Sequence, residues 1–112
     1  MTKPNIHVVN KHHKLTGEYI GRGSPLGNKW THLDSKHHDV IKVATREEAV
    51  AEYRKWLEGK IEACDEAVCN ELNRLVDIAH RDGVLKLQCF CAPKACHGDV
   101  IKETILSAWS KA

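Results

Sequence analysis

The amino-acid sequence predicts an α/β fold: a small two-layer or three-layer sandwich with a short, largely parallel sheet and about three helices. Three observations lead there. Short strand-favouring runs alternate with longer runs of helical period. One helical run precedes the last apolar strand and another follows it. The 112 residues suffice for one core but not for two, so residues 1–112 form a single domain.

The elements follow in order. Val8 and Val9 mark a first short strand at 6–9, and 18–20 reads as a second. Residues 10–17 between them form a polar loop with His12, His13 and Lys14. Three glycines and Pro25 in G-R-G-S-P-L-G-N-K-W, residues 21–30, exclude a regular helix or a central strand. The polar, His-rich stretch 31–39 holds His37 and His38, and Val40 opens a third strand at 40–43. The expected sheet has three or four strands, with an antiparallel pair between those at Ile6 and Glu18.

Thr45 is a good N-cap, and Glu48 three positions on completes a capping box. Ala49, Val50, Tyr53, Trp56 and Leu57 give this first helix an apolar face, and Gly59 is its expected end. A second helix is predicted over 61–81, with a stripe of Ile61, Cys64, Val68, Leu72, Leu75 and Ala79 and a stop at Gly83. Residues 84–88 make the last strand, expected to be buried. A last helix starts near Gly98 or Asp99 and buries Ile101, Ile105, Ala108 and Trp109.

Bulk composition narrows the function classes. The net charge of +2, with acids and bases interspersed on both long helices, is too small to predict nucleic-acid binding by charge, so a nucleic-acid partner keeps low weight. No apolar run approaches a membrane span, and the first ten residues lack a signal-peptide core. The expectation is a cytoplasmic protein whose five cysteines are thiols or metal ligands rather than disulfides. Cys64 and Cys69, on the second helix, read as small core residues.

Chemistry gathers in Q-C-F-C-A-P-K-A-C-H-G-D, which takes the chain from the last strand into the last helix. Cys89, Cys91, Cys96 and His97 are four soft ligands within nine residues, an alternative zinc set, although neither pair has the spacing of a standard knuckle. Cys96 at a helix N-terminus is also a candidate nucleophile, with His97 or another histidine as acid or base. The third reading needs no covalent step. The N–H groups of His97, Gly98 and Asp99 would hold a phosphate or carboxylate, with Arg22 or Lys94 adding charge. That reading asks least of the residues. In the other cluster Arg22, Ser24 and Asn28 offer donors to a phosphate, a sugar hydroxyl or a base edge, and Trp30 offers a stacking face.

The strings Y-I-G-R-G-S-P-L-G-N and L-Q-C-F-C-A-P-K-A-C-H-G-D-V-I, with the T-R-E-E-A-V-A-E-Y-R-K-W-L helix between them, resemble a family of small domains of unknown function (DUF4326-like) spread through phages and bacteria. The resemblance covers about 19–106, and Lys29 stands where that family usually has proline. A more distant likeness is to another α/β family whose last strand ends in cysteine and whose last helix opens Cys-His-Arg. The matching positions are Cys89, Cys96 and His97, with Gly98 in place of the arginine. These likenesses imply one shared site, where the loop of Arg22 to Asn28 meets the loop of Cys89 to Asp99 at one edge of the sheet. Host cytoplasm is the implied location for a phage-encoded copy. Three functions compete: binding of a small anionic, nucleotide-like ligand by Arg22, Ser24, Asn28, Cys89, His97, Gly98 and Asp99; an enzyme acting on a nucleotide or nucleic-acid component through Cys96 and His97; and a zinc-stabilised interaction module.

Overall fold

The computed structural model describes residues 4–10, 17–21, 24–31, 41–89 and 96–110. The elements run β1 (Asn5–Asn10), β2 (Glu18–Tyr19), β3 (Trp30–Thr31), β4 (Ile41–Lys42), α1 (Arg46–Glu62), α2 (Glu66–Asp82), β5 (Val84–Cys89) and α3 (His97–Ser110). The protein is a small α/β domain with short parallel sheets. In the main sheet the order is β1-β5-β2, and β5 is parallel to both neighbours, with Ile6 opposite Leu85 and Tyr19 opposite Gln88. The expected antiparallel pairing of β1 with β2 does not occur. The last strand to be made enters between them, and parallel pairing to β5 on both sides forces β1 and β2 parallel to each other. A second, two-stranded parallel sheet pairs β3 with β4, with Trp30 opposite Ile41. β3 falls where only loop was expected, and β4 lies within the expected third strand.

The alternation in V-L-K-L-Q-C decides which face of the sheet is covered. Leu85, Leu87 and Cys89 are buried, whereas Val84 and Lys86 on the opposite face are exposed. β1 matches it in register, with Ile6 beside Leu85 on the buried face and Asn5 and His7 exposed. The sandwich therefore has two layers, with the helices on one face of the main sheet. Its shortest extent of 21 Å agrees with one helix layer on one sheet. β5 is central by pairing and buried as expected, the most buried of the described strands, with its buried residues on one face alone.

The core joins Ile6, Leu85 and Leu87 of the sheet to Tyr53 and Leu57 of α1, Val68, Leu75 and Ala79 of α2, and Val100, Ile101 and Ile105 of α3. Each fully buried aliphatic side chain contributes roughly 1.5–3 kcal/mol. The ion pairs from Arg74 of α2 to Glu71 and to Glu18 of β2 are solvent-exposed and rank far below that, at about 0–1 kcal/mol each. They orient β2 against α2; the apolar face holds the layers together. On α3 the buried stripe is Val100, Ile101 and Ile105, with Trp109 half-buried against His80 at 4.1 Å; Ala108, expected inside, is exposed.

Helix ends show where local chemistry was legible. The Glu48 N–H donates to Thr45 Oγ1 at 3.1 Å, and the Glu48 carboxylate reaches back to the Ala44 N–H at 3.3 Å, one residue beyond the usual box. Gly83 ends α2 at φ 71°, as its glycine predicts. The boundary between α1 and α2 differs from expectation. α1 runs through Gly59 to Glu62, so Ile61 belongs to it, and α2 starts only after Asp65 caps the Val68 N–H at 3.1 Å. The turn between them is a Schellman motif, closed by Asp65 N–H to the Lys60 carbonyl at 2.9 Å and Cys64 N–H to the Ile61 carbonyl at 3.0 Å. Its left-handed position, φ 58°, is taken by Cys64 instead of a glycine. The expected core reading of Cys64 is thus replaced by an exposed turn residue, and Cys69 is half-buried on α2. A non-glycine residue there costs about 1–2 kcal/mol. Cys64→Gly is accordingly expected to stabilise the chain by about 1 kcal/mol, read as a raised denaturant midpoint at unchanged slope; a lowered midpoint would show the turn to be unstrained.

Candidate functional site

The parallel sheet brings the C-terminal ends of β2 and β5 to one edge, and α3 starts there. Cys89 is the last residue of β5, Ile20 follows β2, and Cys96 immediately precedes α3. All three are buried. Cys96 serves as N-cap of α3 through its sulfur, which accepts the Gly98 N–H at 3.3 Å, the bond a serine or threonine hydroxyl makes at other helix starts. Asp99 closes the other half of the cap, its carboxylate accepting the Cys96 N–H at 3.1 Å. The Asp99 N–H donates to the Cys96 carbonyl at 3.1 Å. Two of the three N–H groups expected to hold an anion thus have partners within the first turn.

The thiols of Cys89 and Cys96 meet at 3.4 Å between sulfurs. That is hydrogen-bond contact, far beyond the ~2.05 Å of a disulfide. The expected zinc set is only partly placed. Cys91 lies outside the described residues, and His97 Nε2 is engaged by a backbone carbonyl. No group of three His, Cys, Asp or Glu side chains that would hold a metal forms among the described residues.

His97 carries the most information. Its Nε2 lies 2.6 Å from the Ile20 carbonyl oxygen. A carbonyl only accepts, so Nε2 bears the proton. Burial lowers the imidazole pKa, against smaller opposing effects of the Ile20 bond and the Asp99 charge. A neutral ring protonated on Nε2 leaves Nδ1 with a lone pair, able to accept a proton or a hydrogen bond. The same bond ties the start of α3 to the segment leading into the glycine-proline loop.

Tyr53 of α1 fastens the loop from below. It is fully buried, its hydroxyl donates to the Leu26 carbonyl at 2.7 Å, and its ring meets the His97 ring edge-on at 5.0 Å. Burial, and secondarily the charge of a Cys96 thiolate, push its pKa far above the ordinary value, so it stays a phenol. Its place on the apolar face of α1 hid this role in the sequence. The one available signal was that a buried tyrosine needs an acceptor for its hydroxyl. Ile20 had no signal at all, since it acts through its backbone.

The other expected residues are placed as follows. Ser24 donates to the Gly21 carbonyl at 2.8 Å, and the Asn28 side-chain oxygen accepts the Trp30 N–H at 2.9 Å, so both brace the loop itself. Trp30 is half-buried with Lys29 Nζ 5.0 Å above its ring. Gly98 is packed so closely that a Cβ would lie 2.9 Å from Val8 and 3.2 Å from the Cys96 sulfur. Arg22, Lys94, His12, His13, His37 and His38 lie outside the described residues.

The family described as a domain of unknown function (DUF4326) matches residues 7–107, from β1 into α3. The chain belongs to this family. The match extends nearer the N-terminus than the resemblance in the sequence motifs, so β1 is part of the family domain. No curated protein and no solved structure matches the chain. No described helix is long and apolar enough to cross a membrane.

The depressed His97 pKa has a signed consequence. The stability that a neutral His97 confers is present above the unfolded-state pKa of about 6.5. It is lost as pH falls through the lower folded-state pKa, because the unfolded chain takes up the proton first. The melting temperature should fall below about pH 6.5 more steeply for the native chain than for His97→Gln, whose amide can still donate to Ile20 and does not titrate. Parallel curves would remove His97 from the acid response.

Proposed function

We propose that this domain binds a small anionic, nucleotide-like ligand between the loop of residues 21–30 and the loop of residues 89–99. One observation carries the reading: the His97–Ile20 bond of 2.6 Å holds the two loops together at the C-terminal edge of a parallel sheet. Ligands of open α/β sheets sit at that edge, where loops converge and helix N-termini face outward. Gly98 supports the reading by letting the α3 backbone approach β1 and the Ile20 segment closely. Because the Gly98 and Asp99 N–H groups have internal partners, Arg22 and the His97 N–H are the groups assigned to the ligand's charge. The Asn28 side-chain nitrogen is assigned to its polar edge. A panel of nucleotides and phosphorylated sugars should include one that raises the melting temperature saturably by several degrees, as mass action requires. Arg22→Ala should abolish that shift and leave the unliganded melting temperature unchanged. A panel with no shift would end the proposal.

A second reading is favoured by the Gly98 N–H bond to the Cys96 sulfur at a helix start, an arrangement that stabilises thiolate over thiol. In it the domain is an enzyme acting on a nucleotide or nucleic-acid component, Cys96 attacking and His97 Nδ1 accepting a proton. Because Cys96 is buried, its thiolate is read by ultraviolet absorbance, which should be present at neutral pH in the native chain and lost in Cys96→Ser. The same absorbance in both chains would remove the nucleophile.

A further inference from the structure

The thiol pair at the sheet edge does more than fill space. Cys89 ends the central strand and Cys96 begins the last helix, so two rigid elements hold their sulfurs 3.4 Å apart, at exposures of 1% and 3%. Core filling by itself does not require two sulfurs in contact, since any small apolar residue would serve. Among the described residues no third ligand joins them, and the His97 imidazole donates through Nε2 to a backbone carbonyl.

The two sulfurs are also chemically unequal. Cys96 accepts an amide hydrogen bond at a helix N-terminus, which favours its thiolate, while Cys89 sits at a strand end with no helix start of its own. An activated thiol beside a second thiol is the arrangement of an attacking and a resolving cysteine.

We infer that Cys89 and Cys96 are a site of reversible oxidation, closing to a disulfide when the chain meets a small hydroperoxide. This inference stands apart from the ligand proposal. In the first step the Cys96 thiolate attacks one peroxide oxygen. The S–O bond forms, the O–O bond breaks, and the departing hydroxide takes a proton to become water, leaving a sulfenic acid. In the second step the Cys89 sulfur attacks the Cys96 sulfur. The S–S bond forms, the S–O bond breaks, and hydroxide leaves as water with the Cys89 proton. Two thiols are oxidised and one hydroperoxide is reduced. The burial of both sulfurs selects an oxidant as small as hydrogen peroxide over a bulky disulfide. Closure shortens the separation from 3.4 Å by about 1.3 Å, drawing the Cys96 sulfur toward Cys89 and away from the Gly98 N–H.

The test uses the full reduced chain, treated with hydrogen peroxide while folded, then unfolded, alkylated and mapped by mass spectrometry. Cys89 and Cys96 should disappear from alkylation in equal measure and reappear after dithiothreitol, joined meanwhile in a species lighter by two hydrogens. The bridge should persist in Cys91→Ser. In Cys89→Ser, Cys96 should instead run on to a sulfinic acid that dithiothreitol does not restore. The inference is overturned if both thiols remain alkylatable once the exposed Cys64 has been oxidised, or if Cys96 is found bridged to Cys91.

Discussion

Everything at the candidate site depends on β5 lying parallel between β1 and β2. Parallel pairing on both sides puts the C-terminal ends of β2 and β5 at one edge, so Ile20 and Cys89 arrive together. α3 then starts over that edge and brings Cys96 and His97 to them. An antiparallel β2 would have carried Ile20 to the other end of the sheet, and His97 would have lost its acceptor. The order of strands, more than any single side chain, makes the site.

Within that frame the polar groups mostly satisfy one another. Cys96 and Asp99 cap α3, Ser24 and Asn28 brace their own loop, and Tyr53 holds the Leu26 carbonyl. This economy follows from burial, because an unpaired buried donor or acceptor costs about 1–3 kcal/mol. Loop residues with the chemistry of ligand contacts are therefore as readily loop supports. The His97–Ile20 bond belongs to the same class, yet it has a chemical by-product. By fixing the proton on Nε2 it leaves a neutral imidazole with an accepting Nδ1.

The cysteines divide by environment rather than by spacing. Cys64 occupies a strained, exposed turn; Cys69 is half-buried on α2; Cys89 and Cys96 form a buried contact. Spacing along the chain grouped Cys89 and Cys96 with Cys91 and His97 as one ligand set. In space the His97 ring donates to the Ile20 carbonyl, 77 positions away in the chain. Adjacent residues at a helix start project in different directions, so Cys96 and His97 serve different partners.

The sequence by itself determined the α/β class, the membership of 84–88 in the sheet, the start of α1 at Thr45 and the stop of α2 at Gly83. These are local matters: propensity, period, caps and glycine conformations act within a few residues. What only the tertiary structure decided is non-local. The insertion of β5 between β1 and β2, the exposed second face of the sheet, the Cys64 turn where Gly59 was the expected stop, and the roles of Ile20 and Tyr53 all fall in this group. Each depends on a partner distant in the chain or on a backbone group that every residue possesses. A carbonyl carries no side-chain signature, and the acceptor of a buried hydroxyl is chosen by packing.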